Sequence, residues 1–163
     1  MSKPLALPRL ALYMFGFTAL VVALDQSAKA LVIAALTPGR YYDVLGPVLR
    51  WYLVRNDSAA FSLGGGVTWA FTVFSTVAAL AVIWFSRKIE TRSWAVLAGA
   101  LLGGILGNLI DRITREPGFP NGHVVDFISI PFNFPIFNLA DSAIVVVAVI
   151  TVIRVMRGER IGK

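Results

Sequence analysis

Cysteine is absent from this 163-residue sequence, and histidine occurs once, at position 123. Without thiols the chain has no disulfide, no cysteine nucleophile and no sulfur-ligated metal. A single histidine would leave any metal site dependent on carboxylate ligands, which is a poor donor set for zinc. We therefore expect neither a metal nor a cofactor, and interpret His123 as a loop residue.

Charged residues are also scarce, at 15% of the chain, whereas 57% of the residues are hydrophobic and the mean hydropathy is +0.75. This composition is far more apolar than that of a soluble domain and indicates an integral membrane protein. The net charge of +6 raises the question of nucleic acid. Lysine and arginine, however, fall mainly outside the apolar runs and form no stripe along a soluble face, so we expect no nucleic-acid partner.

Four apolar runs predict transmembrane helices in a single membrane domain of residues 1–163. The predicted spans are residues 10–36, 67–85, 94–110 and 137–156. The start of the first run resembles the apolar core of a secretory signal, but apolar sequence resumes after Lys29. At about 1.5 Å per residue, residues 10–36 reach roughly 40 Å, enough to cross a bilayer, and we expect an uncleaved span.

The two longer connections have different compositions. Residues 37–66 contain the segments LRWYLV (49–54) and SAAFSL (58–63) between turn residues, which predict a small β element outside the membrane with its aromatics at the interface. Residues 111–136 are polar at first and then rich in proline, phenylalanine and asparagine. We expect this second connection to dip back towards the bilayer and to be partly interfacial.

Basic residues predict the orientation. The amino end, the 87–92 turn and the 154–163 tail carry nine lysines and arginines, against five in the two longer connections. Positive charge favours the cytoplasmic side, so both termini are predicted to be cytoplasmic and both longer connections extracytoplasmic. With this topology, four acids converge on the outer side: Asp25, Asp111, Asp126 and Asp141. Ionisable groups at membrane depth are costly and mark either function or internal pairing.

Two of these acids have nearby cations in the sequence. Asp25 and Lys29 are four residues apart on one helix face, which predicts an internal ion pair. Asp111 adjoins Arg112 at the predicted helix end, close to Asn108, and we interpret it as part of a structural salt bridge. In the same helix, glycines recur every fourth residue, at 99, 103 and 107, a spacing that allows close approach of a second helix.

The other two acids, Asp126 and Asp141, have no lysine or arginine within ten residues. Carboxyl groups in such apolar surroundings are expected to share a proton and to hydrogen-bond to polar neighbours such as Asn138. One member of such a pair can activate water while the other protonates a leaving amine. The residues alone leave a second interpretation equally open, a proton relay in a small proton-coupled transporter.

Other functions receive less support. A transporter of this kind predicts acids at the membrane midplane and an internal repeat, whereas these acids gather on one side and the halves show no repeat. A serine–histidine mechanism would need Ser58, Ser129 or Ser142, none of which stands in a nucleophile-elbow sequence. A non-enzymatic lipid-binding or scaffold protein is a third alternative.

Five sequence blocks together resemble the bacterial lipoprotein signal peptidases (signal peptidase II), which are aspartic proteases of the cytoplasmic membrane. The blocks are LDQSAK (24–29), RNDSAAFS (55–62), GGILGNLIDR (103–112), VVDFI (124–128) and FNLADSAI (137–144). Each block is weak evidence by itself, but five in the family's order on a four-span chain are specific. The resemblance implies removal of the signal peptide from a prolipoprotein just before its diacylglyceryl-modified cysteine.

The resemblance also assigns roles to residues. It implies that Asp126 and Asp141 are the catalytic pair. It further implies supporting or substrate-lining roles for Asn56, Asn108, Asp111, Arg112 and Asn138, and a stabilising role for Asp25 and Lys29. The expected partners are a lipidated prolipoprotein and membrane lipids, for a monomer in the bacterial inner membrane with its site towards the extracytoplasmic face.

The family likeness also implies a β-cradle and a mobile loop over the site, within residues 40–66. One departure from the family's pattern is visible there. Ser58 stands where the family usually has glycine. We expect a side chain at this position to alter the local turn, because glycine adopts turn conformations that other residues reach less easily.

Overall fold

The computed structural model describes residues 7–57 and 67–162. The described elements are four helices and three short strands, and each helix is long and apolar enough to cross a membrane. In chain order they are α1 (Leu7–Ala35), β1 (Tyr42–Asp43), β2 (Arg50–Asn56), α2 (Thr68–Ser86), α3 (Arg92–Thr114), β3 (Val124–Ser129) and α4 (Leu139–Met156). The prediction of four membrane-spanning helices is confirmed.

Helix α3 lies at the centre of the bundle and packs against the other three helices. Gly99 of α3 lies beside Met14 of α1, and Gly107 lies beside Asp25. Because residue numbers increase in the same direction along this contact, the two helices are parallel. Helix α3 extends four residues past the predicted end at position 110. This last turn brings Asp111 and Arg112 into the helix itself.

The predicted glycine spacing in α3 produces close helix contacts. A Cβ atom at Gly103 would lie 2.7 Å from the Cβ of Val21, and one at Gly99 would collide with the backbone of Met14. A further glycine, Gly104, faces α4, where an added Cβ would lie 2.7 Å from the carbonyl oxygen of Ala140. Small residues on two faces of α3 therefore let two helices approach its backbone.

The outward faces of the helices carry large apolar side chains. Phe74 and Trp84 of α2 are 72% and 62% exposed, and Val145 and Met156 of α4 are 61% and 82% exposed. Such exposure would be a liability in water but matches a hydrocarbon environment. The chain is a multi-pass membrane protein.

The strands form one antiparallel sheet in the order β1–β2–β3. Strand β2 contains most of the predicted segment 49–54, whereas the predicted segment 58–63, Ser58 and that part of the expected mobile loop lie outside the described residues. The third strand comes from the connection between α3 and α4, where the sequence predicted only a loop. Alternation is weak in VVDFIS because its first four residues are all buried, so the strand is missed by a period-two pattern.

A buried apolar cluster holds this sheet on the end of the bundle. It contains Val32 and Leu36 of α1, Leu53 of β2, and Val125 and Phe127 of β3. Because alternate residues of a strand point to opposite faces, burying Val125 and Phe127 in this cluster turns Asp126 to the other face. The packing of the sheet thereby determines the direction of one of the predicted catalytic side chains.

Candidate active site

Asp141 is held at the start of α4 by a reciprocal capping box. The side chain of Asn138 accepts a hydrogen bond from the backbone N–H of Asp141 at 2.9 Å, and Asp141 Oδ2 accepts from the backbone N–H of Asn138 at 3.1 Å. This arrangement satisfies two backbone donors that a helix N-terminus otherwise leaves without partners. The spacing Asn-x-x-Asp therefore both starts the helix and orients the carboxyl group.

Asp126 lies in β3 and is 2% exposed. Its Oδ2 accepts a hydrogen bond from Asn56 Nδ2 at 2.8 Å, and its Oδ1 accepts from Asn138 Nδ2 at 2.6 Å. Asn56 is the last residue of β2, which pairs with β3. The sheet thus supplies both the carboxyl group and one of its two amide donors.

Asn138 connects the two carboxyl groups, because its side-chain amide donates to Asp126 and its backbone N–H donates to Asp141. A second amide, that of Asn108 on α3, donates to Asp141 Oδ1 at 2.7 Å, while its oxygen accepts from Asn138 Nδ2 at 3.0 Å. Residues far apart in the sequence therefore meet around one pair of acids.

Burial raises the pKa of Asp126 to about 7. The hydrogen bond from Asn56 opposes this rise, the negative charge of Asp141 adds to it, and the hydrogen bond from Asn138 opposes it again. Amide donors are neutral, so they stabilise a carboxylate less than a cation at the same distance would. The Asp126 carboxyl group can therefore gain or lose a proton near neutral pH.

Lys29 occupies the centre of a second, fully charged cluster beside this pair. Its Nζ lies 2.8 Å from Asp25 Oδ2 and 2.8 Å from Asp111 Oδ2, and all three side chains are completely buried. The predicted Asp25–Lys29 ion pair is thus present. Lys29 also donates to Asn108 Oδ1 at 3.0 Å, which links the charged cluster to the hydrogen bonds around Asp141.

The ion-pair partners that the structure gives Asp111 are Lys29 and Arg115, whose Nε lies 2.6 Å from Asp111 Oδ1. The sequence had suggested the adjacent Arg112 as its partner. Consecutive helix residues point about 100° apart, so a neighbour in sequence is poorly placed for such contact, whereas Arg115 follows one turn later. Arg112 is buried, with its guanidinium 5.4 Å from the ring centre of Phe71. It interacts electrostatically with Asp126, Asp111 and Asp141.

Two polar residues of this site were missed from the sequence. Gln26 donates through Nε2 to Asp111 Oδ1 at 3.1 Å and to the carbonyl oxygen of Gly107 at 2.9 Å, and its Oε1 accepts from Arg115. The sequence contains a feature that could have identified each of these two residues. Gln26 is a polar residue in an apolar helix between Asp25 and Lys29, and Arg115 follows Asp111 by four residues.

Within residues 7–57 and 67–162, no group of three or more histidine, aspartate or glutamate side chains is arranged to hold a metal ion. The sole histidine, His123, lies in the connection before β3, where its backbone N–H donates to the carbonyl oxygen of Glu116. The arrangement around Asp126 and Asp141 is suited to acid–base chemistry on a bound water.

The sequence is similar to those of known lipoprotein signal peptidases. The chain is 50% identical over 136 residues to the lipoprotein signal peptidase of Leifsonia xyli subsp. xyli, covering 83% of this chain and 63% of that protein. It is 40% identical over 146 residues to the lipoprotein signal peptidase of Mycobacterium leprae, covering 90% of this chain and 72% of that protein. The matched part is thus less than two thirds of the Leifsonia protein's length.

Two solved structures of bacterial membrane enzymes, both determined by the in meso method, share the fold. The structure at 2.3 Å resolution has a TM-score of 0.79 and 28% identity, and the match covers 96% of this chain and 93% of that one. The structure at 1.9 Å resolution also has a TM-score of 0.79, with 27% identity and coverage of 98% and 99%.

A model of the family described as signal peptidase (SPase) II matches residues 17–157. This range contains α2, α3 and α4 in full and α1 from residue 17 onward, together with every candidate site residue between Asp25 and Asp141. The geometry and the comparisons agree on one assignment: this chain belongs to the signal peptidase II family of aspartic peptidases.

Proposed function

We propose that the chain removes the signal peptide from diacylglyceryl-modified prolipoproteins by hydrolysing the peptide bond just before the lipidated cysteine. The observation that carries this proposal is the shared environment of Asp126 and Asp141, two acids hydrogen-bonded to the same residue, Asn138. Family membership supports the substrate class, because the relatives from Leifsonia and Mycobacterium leprae are lipoprotein signal peptidases.

In the proposed reaction the pair holds one proton. Asp126, with a pKa of about 7, can carry it at neutral pH. We assign the charged form to Asp141, whose carboxylate accepts hydrogen bonds from Asn108 and from the backbone N–H of Asn138. Asp141 takes a proton from water as the water oxygen attacks the scissile carbonyl carbon. The tetrahedral species then collapses as Asp126 donates its proton to the amide nitrogen, which leaves as an amine and gives a new carboxyl group.

The position of the pair supports hydrolysis close to a lipid-exposed surface. The acids lie where β2 and β3 meet the ends of α3 and α4, while the outward faces of the helices are apolar. A diacylglyceryl group can stay in the leaflet while its attached peptide reaches this site. Holding the peptide and water together in a site of low polarity adds to the acid–base step.

The location of the activity is part of the proposal. The basic residues favour a cytoplasmic location for both termini, which would place Asp126 and Asp141 at the extracytoplasmic side of the inner membrane. We further propose that the working unit is a monomer in contact with membrane lipids, without a metal or cofactor.

A cleavage assay with purified protein in detergent micelles tests this function. The substrate is a synthetic precursor peptide with a diacylglyceryl-cysteine, and mass spectrometry locates the cut. We expect release of a free signal peptide with cleavage before the cysteine, in the presence of chelator and without any proton gradient. The same peptide with an unmodified cysteine is the matched control and should be cleaved far more slowly.

Three results would contradict the proposal. They are no cleavage of the lipidated peptide, equal cleavage of both peptides, and cleavage elsewhere in the sequence. If instead proteoliposomes moved protons together with a solute and left the peptide intact, the transporter interpretation would replace it.

A further inference from the structure

The carboxylate of Asp111 connects the charged cluster to β3. Its Oδ2 is paired with Lys29 and also accepts a hydrogen bond from the backbone N–H of Val125 at 3.1 Å. Val125 is 1% exposed and immediately precedes Asp126. The position of the strand at this residue therefore depends on a buried carboxylate that is itself held by a cation.

The carboxylate of Asp25 makes the equivalent connection to α4. Its Oδ2 is paired with Lys29, and its Oδ1 accepts a hydrogen bond from the backbone N–H of Ala140 at 3.0 Å. Ala140 is completely buried and immediately precedes Asp141. Its N–H lies in the first helical turn and has no acceptor within the helix, so Asp25 provides one.

A third connection from Lys29 runs through Asn108. An ammonium group can only donate hydrogen bonds, so the amide of Asn108 presents its oxygen to Lys29, at 3.0 Å. The NH₂ group of the same amide is then directed to Asp141 Oδ1, at 2.7 Å. Lys29, together with the side-chain amide of Asn138, thus determines which end of this amide faces the carboxyl group.

We propose that Lys29, Asp25 and Asp111 are positioning residues that set the placement of Asp126 and Asp141 relative to each other. One cation holds two carboxylates, and each carboxylate holds the backbone of the residue preceding one of the two acids. This inference rests on the proposed catalytic roles of Asp126 and Asp141, and it assigns a function to the buried cluster beyond stabilising the fold.

An amide side chain cannot replace the carboxylate of Asp25 in this role. One oxygen of Asp25 faces Lys29 and the other faces the N–H of Ala140, and both neighbours are donors. In Asp25→Asn, the NH₂ group must face one of them, so either the ion pair or the backbone hydrogen bond is lost. The same reasoning applies to Asp111→Asn, because both oxygens of Asp111 accept from donors.

The experiment combines amide hydrogen exchange with kinetics on Asp25→Asn and Asp111→Asn in detergent micelles. We expect faster exchange at Ala140 in the first variant and at Val125 in the second, relative to wild type. We also expect kcat on the lipidated peptide, per folded molecule, to fall by about 10²-fold with a much smaller change in KM, because a small misplacement of reacting groups has this effect.

Gly103→Ala is the control for a merely structural role. It disturbs the same α1–α3 interface, where the added Cβ would lie 2.7 Å from the Cβ of Val21, but it does not contact the charged cluster. This variant should unfold at a lower temperature while the amides of Val125 and Ala140 and the kcat per folded molecule stay as in wild type.

A second variant covers the case in which Asp25→Asn does not fold. Ala140→Pro removes the N–H that Asp25 accepts from and leaves every charge in place, and proline is tolerated in the first turn of a helix. This variant should also have a lower kcat than wild type, with a smaller change in KM. Wild-type kcat in this variant, or in both aspartate variants, would overturn the positioning role.

Unchanged exchange at Val125 and Ala140 would overturn it as well, whatever the kinetics. If wild type cleaves no lipidated peptide, the proposed function fails. The exchange measurements then decide by themselves whether the charged cluster holds these two backbone positions.

Discussion

Two pairs of acids lie side by side in this protein, and they differ in what surrounds them. Asp25 and Asp111 share the ammonium group of Lys29, at 2.8 Å from each. Asp126 and Asp141 accept hydrogen bonds from neutral amides, those of Asn56, Asn108 and Asn138. The residue type is the same, but one pair is in direct contact with a shared cation, whereas the hydrogen bonds described for the other pair come from neutral amides.

The difference shows how the same side chain serves two purposes. A carboxylate paired with a buried cation is held in its ionised form and gives a fixed hydrogen-bond acceptor. Burial raises the pKa of the Asp126 carboxyl group to about 7, and hydrogen bonds from neutral amides offset this rise only in part. The first kind of site holds neighbouring backbone segments in place, and the second can exchange a proton with a substrate.

The largest expected effect on cleavage comes from substitutions in the proposed catalytic pair. Asp126→Asn and Asp141→Asn should each reduce cleavage of a lipidated precursor peptide by about 10³-fold or more, because general acid–base catalysis by either member is lost. The folded structure should persist with a free energy of unfolding lower by about 1–3 kcal/mol, because both oxygens of each carboxyl group accept from donors and an amide keeps only one acceptor. Initial rates and a thermal unfolding curve for each variant measure the two effects.

The matched control for this prediction is Asp43→Asn. Asp43 lies in β1 of the same sheet, but its side chain is 68% exposed and pairs only with Arg50 among the ion pairs described here. This change should leave the rate unaltered. Cleavage retained by either Asp126→Asn or Asp141→Asn would remove the pair from the mechanism.

The second prediction concerns the charged cluster. Lys29→Met leaves Asp25 and Asp111 buried without their shared cation, and removing one partner of a buried ion pair costs about 3–5 kcal/mol. We expect a correspondingly large fall in the free energy of unfolding, measured by denaturant titration in micelles. Lys88→Met, at an exposed position, is the control and should change that free energy by less than about 0.5 kcal/mol. Equal decreases in the free energy of unfolding in Lys29→Met and Lys88→Met would contradict the role of Lys29 as the shared cation of Asp25 and Asp111.

The third prediction uses pH. The pKa of Asp126 is raised to about 7, so its carboxyl group carries a proton below that pH and loses it above. If the protonated form is the acid in the reaction, kcat should fall as pH rises through about 7. Asn56→Ala removes a hydrogen bond that lowers this pKa, so the falling limb should move to higher pH.

A pH–rate profile of wild type and Asn56→Ala measures this shift, with Asn121→Ala, at an exposed position, as the control. A limb that moves to lower pH in Asn56→Ala, or a rate that rises through neutrality, would contradict the role given to Asp126.

The smallest expected effect lies at the opposite end of the α1–α3 contact. Thr18 Oγ1 donates to the carbonyl oxygens of Met14 and Gly99, at 2.9 and 3.1 Å. Thr18→Val should lower the free energy of unfolding by about 0.5–1.5 kcal/mol and leave kcat unchanged, because it removes one hydrogen-bonding hydroxyl far from both acid pairs. Denaturant titration and initial rates test it, and a fall in kcat per folded molecule would show that this contact also reaches the site.

Local patterns in the sequence predicted several of these features correctly. The four helices follow from apolar runs long enough to span a bilayer, and the Asp25–Lys29 pair follows from spacing of four residues on one helix. The strand β3 was not predicted, because a strand buried on both faces lacks alternation. The partners of Asp111 were not predicted either, since Lys29 lies on another helix and the choice between Arg112 and Arg115 depends on direction around α3.

The amide orientations illustrate the same limit within the site. Asn108 and Asn138 were recognised as polar residues in apolar surroundings, and the family likeness gave them supporting roles. Which atoms of Asn108 face Lys29 and Asp141 depends on donors and acceptors brought from α1 and α4. No spacing within a single segment contains that information.

The sequence by itself determined that this chain crosses a membrane, where its helices run, and that no lysine or arginine lies within ten residues of Asp126 or Asp141 along the chain. These properties depend on hydrophobicity and spacing along one segment, which are local. Only the tertiary structure decided that one lysine holds two acids, that β3 turns Asp126 towards Asn138, and that each tethered backbone N–H precedes one of the paired acids. Such contacts join residues from different helices and strands, and their geometry exists only once the bundle and the sheet have packed together.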